Sequence, residues 1–125
     1  MNDSNTNVCK AAPTLVFACS GAADVGAAAD RAARELTAKG AGKMYCLAGI
    51  GGRVPGILKT TAEAEKILAI DGCPLDCVRL SLEEAGFTGF EHMKVTDLGL
   101  EKGRSPATEE NVGRVVQAAL DVLGV

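Results

Sequence analysis

The chain has 125 residues, 47% of them hydrophobic and 23% charged, which suits one globular domain that buries roughly two thirds of its unfolded surface. Aromatic residues make up 3% and Trp is absent, and the net charge is −3. That balance removes the base-stacking platforms and basic patches of nucleic-acid partners. The opening residues Met1 to Lys10 are polar and lack the apolar centre of a signal peptide, and no apolar run approaches membrane-spanning length. The expectation is a cytoplasmic protein with neither membrane nor nucleic acid as partner.

Taken in order, residues 1–12 read as a flexible leader and residues 13–125 as a single domain. Thr14-Leu15-Val16-Phe17-Ala18 is a predicted strand ending at Cys19-Ser20-Gly21. Ala22 to Lys39 is an Ala-rich helix, stopped by Gly40 and Gly42. Lys43 to Ala48 is a second strand, running into the glycine-rich turn Gly49 to Gly56. A short helix over Ile57 to Ala64 leads to a third strand, Ile67-Leu68-Ala69-Ile70. The turn Asp71 to Cys77 follows, then a helix over Val78 to Ala85 closed by Gly86. His92 to Leu98 is a fourth strand, and Ser105-Pro106 opens a last helix. Its Val112, Val115, Val116, Ala119, Leu120 and Leu123 keep helical spacing on one face. Four strand-helix units predict a small doubly wound α/β fold, flavodoxin- or Rossmann-like. The sheet is mostly parallel, with about four strands, helices on both faces and the order 2-1-3-4.

There are five cysteines, and in a reducing compartment they signal metal or catalysis more often than disulfides. Cys9 falls in the leader and reads as incidental. Cys46 follows Cys19 by 27 residues, and Cys73 follows Cys46 by 27 (46 − 19 and 73 − 46). That interval is one strand-helix unit, so the same level of the sheet meets a thiol three times, and Cys77 makes a fourth. With neighbouring strands about 4.8 Å apart, the thiols are expected close to one point, as in a tetrahedral Cys₄ zinc site. Cys46 falls three residues inside its predicted strand and could instead pack as a small hydrophobe. Pro74 suits the first helical position, and a helix start favours thiolate at Cys73 and Cys77.

The ordered set Cys19-Ser20-Gly21, Cys46-Leu47-Ala48-Gly49-Ile50-Gly51-Gly52 and Ile70-Asp71-Gly72-Cys73-Pro74-Leu75-Asp76-Cys77 resembles the DGC-domain family. These are small proteins, named for an Asp-Gly-Cys motif, to which zinc binding is ascribed. The resemblance covers almost all of the chain after the leader. It implies zinc as the cofactor and Cys19, Cys46, Cys73 and Cys77 as its ligands. Leu98 to Lys102 also resembles the family's C-terminal segment, without implying any chemistry for Lys102. The resemblance implies a site and no reaction.

Other chemistries compete for the same residues. Cys73 and Cys77 could form a disulfide, with Cys19 or Cys46 as resolving thiol, in a thiol oxidoreductase. Cys73 and Arg79 fit the Cys-x₅-Arg spacing of phosphatases, but Pro74 removes a backbone donor and Asp76 adds a repelling charge. The turn Gly49 to Gly56 matches neither the dinucleotide fingerprint nor the Walker loop and reads as a rim to the thiols. Arg53 and Lys59 could offset negative charge there. His92, the only histidine, is expected on the surface, at the opposite edge of the sheet from the thiols. Asp71 reads as a residue that orients the turn by accepting backbone N–H groups rather than as a ligand. The expected function is a zinc-binding protein that handles or senses metal, as monomer or homodimer, with an unidentified protein partner. An oxidoreductase and an interaction module with structural zinc are the alternatives, and whether any reaction is catalysed stays open.

Overall fold

Four parallel strands form the middle layer of the computed structural model, which describes residues 13–125; the leader and Cys9 lie outside the described residues. β1 (Thr14–Ala18) is central, and Leu15, Val16 and Phe17 have no exposed surface because both edges and both faces are covered. It pairs along its whole length with β3 (Lys66–Asp71), from Thr14 opposite Lys66 to Ala18 opposite Ile70. β2 (Lys43–Met44) lies on the other side of β1 and β4 (Glu91–Lys94) beyond β3, so the order is the expected β2-β1-β3-β4.

The order dictates the layers. The chain moves one way from β1 to β2 and the other way from β2 to β3 and on to β4, so right-handed crossovers put the helix after β1 on one face and those after β2 and β3 on the other. α1 (Asp24–Ala38) and α5 (Glu109–Leu123) cover Val16, Ala18, Leu68 and Ile70. The contact side of α1 is Ala28, Ala29, Ala32 and Ala33, and such small side chains let it lie close to sheet and α5. α2 (Leu47–Gly51), α3 (Pro55–Ala62) and α4 (Cys77–Glu84) take the other face, where Leu15, Phe17 and Ala69 pack with Ile50, Val78 and Leu82. The reversal leaves a crevice between the carboxyl ends of β1 and β3, the place where open α/β sheets bind ligands.

Several boundaries differ from expectation. The second strand ends at Met44 rather than Ala48, because β2 has only one neighbour. After Tyr45 N donates to Val16 O at 2.9 Å, the chain leaves the sheet and winds α2 across the end of the predicted strand and the start of the predicted turn. The fourth strand ends at Lys94, and Val95–Leu98 is a 3₁₀ turn stopped by Gly99 at φ 85°. α5 begins after Thr108, whose hydroxyl accepts from Asn111 N, and not at Ser105-Pro106. No helix among the described residues is long and apolar enough to cross a membrane.

Candidate thiol site at the carboxyl edge of the sheet

β1 and β3 end side by side, so Cys19 and Cys73 leave the sheet as neighbours on either side of the crevice. Gly72 is required for this approach. A Cβ there would stand 2.9 Å from the carbonyl of Val25 and from Gly26 N. One at Gly26 would stand 2.9 Å from the backbone of Gly21. Three backbone segments thus touch where only hydrogen fits, and the loops carrying the thiols become one floor.

Cys73, Pro74, Leu75 and Asp76 then form a turn closed by Asp76 N donating to Cys73 O at 3.2 Å. Pro74 occupies the second position of this turn, which its fixed φ favours, and not the start of the helix. Asp76 takes the left-handed conformation at φ 58°, and Cys77 is the first residue of α4. Asp71 organises the turn, as its carboxylate accepts Val78 N at 2.7 Å and Arg79 N at 3.1 Å. It satisfies the first N–H groups of α4 from seven and eight residues upstream.

His92 is not a remote surface residue. Its partner across the ladder is Ala69, which puts it on the same sheet face as Asp71. Its Nε2 lies 2.9 Å from Asp71 Oδ2 and 3.7 Å from Asp76 Oδ1. Only the register of β4 on β3 brings this about, and no local sequence signal announces it. Asp71, Asp76 and His92 are, among the described residues, the three donor side chains whose ligating atoms lie within 4.8 Å of one another. Asp76 sits close to cations: burial works to raise its pKa, but the Arg79 hydrogen bonds, with Lys94 and His92 nearby, hold it below the ordinary value.

Cys19, Cys73 and Cys77 line one cavity of about 210 Å³ with Lys102, whose Nζ is 3.7 Å from Cys73 Sγ. Cys46 instead opens into the neighbouring cavity of about 720 Å³, together with Ser20, Tyr45 and Met44, and Cys19 is common to both. It is exposed rather than packed inside a strand, and its sulfur caps α2 by accepting Gly49 N at 3.3 Å. The sulfurs stand wider than in a closed tetrahedral site, since among the described residues no three come within 4.8 Å of one another. Thiolate donors facing one cavity nevertheless suit zinc by their chemistry.

Cys77 does not favour the thiolate as its helix position suggests. Desolvation of its sulfur pushes the pKa up, Asp71, Cys19 and Cys73 add to the rise, and Lys102 opposes it. Neither expected cation of the rim faces the thiols by any contact. Arg53 donates to the carbonyls of Ile50, Gly51 and Glu84, tying α2 to α4, and Lys59 is exposed on α3. Arg79 is bonded to Asp76 and Glu83, which leaves the phosphatase spacing without a phosphate-binding arginine.

A three-layer α/β domain with a thiol-lined crevice where its strand order reverses is the class of protein that fold and site define. Within that class the chain belongs to the DGC domain family, whose model matches residues 15–119 and so spans all four site cysteines. It is similar to the anaerobic and virulence modulator AnvM of Pseudomonas aeruginosa (strain PAO1), with 38% identity over 88 residues, or 70% of this chain and 67% of that protein. No solved structure matches the chain.

Proposed function

We propose that the protein binds a zinc ion through Cys19, Cys46, Cys73 and Cys77 and acts by handling or sensing metal. The observation that carries this reading is the cavity at the β1–β3 crevice, onto which two strand ends and a helix start each bring a thiol. Bound zinc supplies a soft tetrahedral centre that keeps thiolates engaged as ligands. The chain's own part is to lock Cys19 and Cys73 on a glycine floor and to aim Cys77 through the Asp71-capped start of α4. Cys46 joins from the rim of the neighbouring cavity by giving up its bond to Gly49 N, at the cap of a five-residue helix. A modulatory role is in keeping with the name of the related Pseudomonas protein. The raised Cys77 thiol counts against an oxidoreductase that needs a ready nucleophile there.

Protein purified under reducing conditions should hold about one zinc per chain by elemental analysis. Cys73→Ser and Cys77→Ser should lose it, and full zinc content in the Cys73→Ser variant would sink the site. The four thiols should alkylate slowly until a chelator is added and then react together. A single fast thiol in metal-replete protein would make the oxidoreductase the better reading.

A further inference from the structure

We propose that Lys102 is the charge-balancing partner of the thiol site, held over Cys73 by a latch that Asp24 closes on the loop 101–105. The proposal deepens the zinc reading and rests on it for its role, though not for the geometry. Four thiolates around Zn²⁺ leave a net charge of about −2, and the buried carboxylate of Asp71 lies beside them. A cation beside such a site stabilises it. Among the described residues Arg34, Arg53, Arg79 and Lys94 are turned to other partners: Asp30, backbone carbonyls, Asp76 with Glu83, and Asp76 respectively. Lys102 lines the thiol cavity and reaches Cys73 Sγ at 3.7 Å.

A lysine on a free loop would lose rotamer and backbone entropy for one weak contact. Here the backbone is tied down in advance. Asp24 Oδ1 accepts Gly103 N at 2.8 Å and its Oδ2 accepts Ser105 N at 3.0 Å. Ser105 Oγ accepts Glu101 N at 2.7 Å, so bonds bracket Lys102 on both sides. Gly103 takes φ 88°, which lets the loop turn both N–H groups onto one carboxylate at little cost. Asp24 is the first residue of α1, so the latch spans 79 positions to join the start of α1 to the loop carrying Lys102. Asp24 is therefore a positioning residue for Lys102.

Two readouts on the full chain test this. In reduced, metal-free protein, iodoacetate and iodoacetamide are compared at Cys73 by peptide mapping. An ammonium beside the sulfur favours the anionic reagent, so the rate ratio should fall roughly two- to fivefold in Lys102→Met. Lys102→Arg should restore it, and the ratio at Cys46 should not move. In zinc competition against a chelator, Lys102→Met and Asp24→Asn should each weaken binding by a similar factor. The double variant should be no weaker than the weaker single one, because both remove the same cation. An unchanged Cys73 ratio in a folded Lys102→Met protein would overturn the proposal, as would additive losses in the double variant. Wild-type protein that binds no zinc yet shows the Lys102-dependent ratio would overturn the zinc reading and leave the placement of Lys102 standing.

Discussion

Gly72 shows at the scale of one residue why an Asp-Gly-Cys sequence forms here. Asp71 must face inward to hold α4 and His92, and Cys73 must face the crevice. The residue between them passes against α1, where a side chain would press on Val25 and Gly26 backbone that cannot yield cheaply. Gly72→Ala should therefore cost about 1–3 kcal/mol, as overpacking of rigid neighbours does, and lower the melting temperature by several degrees. It should also reduce zinc content although every thiol remains. Gly51→Ala is the control, since nothing lies within 4 Å of a Cβ there, and thermal melts of the two should differ clearly. Equal melting temperatures would show that the loops yield more easily than the contact implies. Strain is tolerated nearby: Ser20 and Asp76, both in loops of this edge, take left-handed conformations that cost roughly 1–3 kcal/mol each.

At the scale of the element, α1 starts at a cap position, Ala23, that offers no side-chain acceptor. Asp24 fills the need by accepting Val25 N at 2.8 Å while also closing the latch. The Gly103 N–H holds its carboxyl below the ordinary value of 3.8; desolvation opposes this, and the N–H groups of Ser105 and Val25 assist. A carboxyl depressed in the folded state contributes stability above its unfolded value and loses it as pH falls through the folded one. The latch should thus be closed at neutral pH and open only in acid, below 3.8. Hydrogen exchange at Gly103 and Ser105 should show more protection in the wild type than in Asp24→Asn at pH 7, and that difference should vanish in acid. A difference that persisted below the carboxyl's range would mean that something other than this charge holds the loop.

Across the whole molecule, two apolar clusters sandwich the sheet, and the thiols stand at their margin, where Cys19 packs against both clusters and Cys73 against one. Folding is driven by burial of residues such as Phe17, Leu68, Leu82 and Val115, none of which depends on a metal. Chelation should leave the far-UV spectrum of the helices and sheet intact. The melting temperature should fall modestly, because a ligand present at about a hundred times its dissociation constant adds only about 2.7 kcal/mol. An apo protein that is unfolded would make zinc structural and remove the case for metal handling or sensing.

Much of this architecture was legible without a structure. Runs such as Leu15 to Ala18 and Leu68 to Ile70 are apolar at every position because they are buried on both faces, and the spacing of Val112 to Leu123 marks one helix face. Those are local consequences of burial, so strand count, parallel order and the placing of Cys19 and Cys73 at strand ends could be read from the chain. What the tertiary structure decided are relations between distant segments. The single neighbour of β2 released Cys46 from the sheet into a cavity beside the other thiols. The register of β4 set His92 on Asp71, and a carboxylate 79 positions away carried the loop of Lys102 to Cys73. Periodicity reports which face of an element is buried; it carries no term for where a loop crosses or which ladder register closes, because packing of the whole chain selects those.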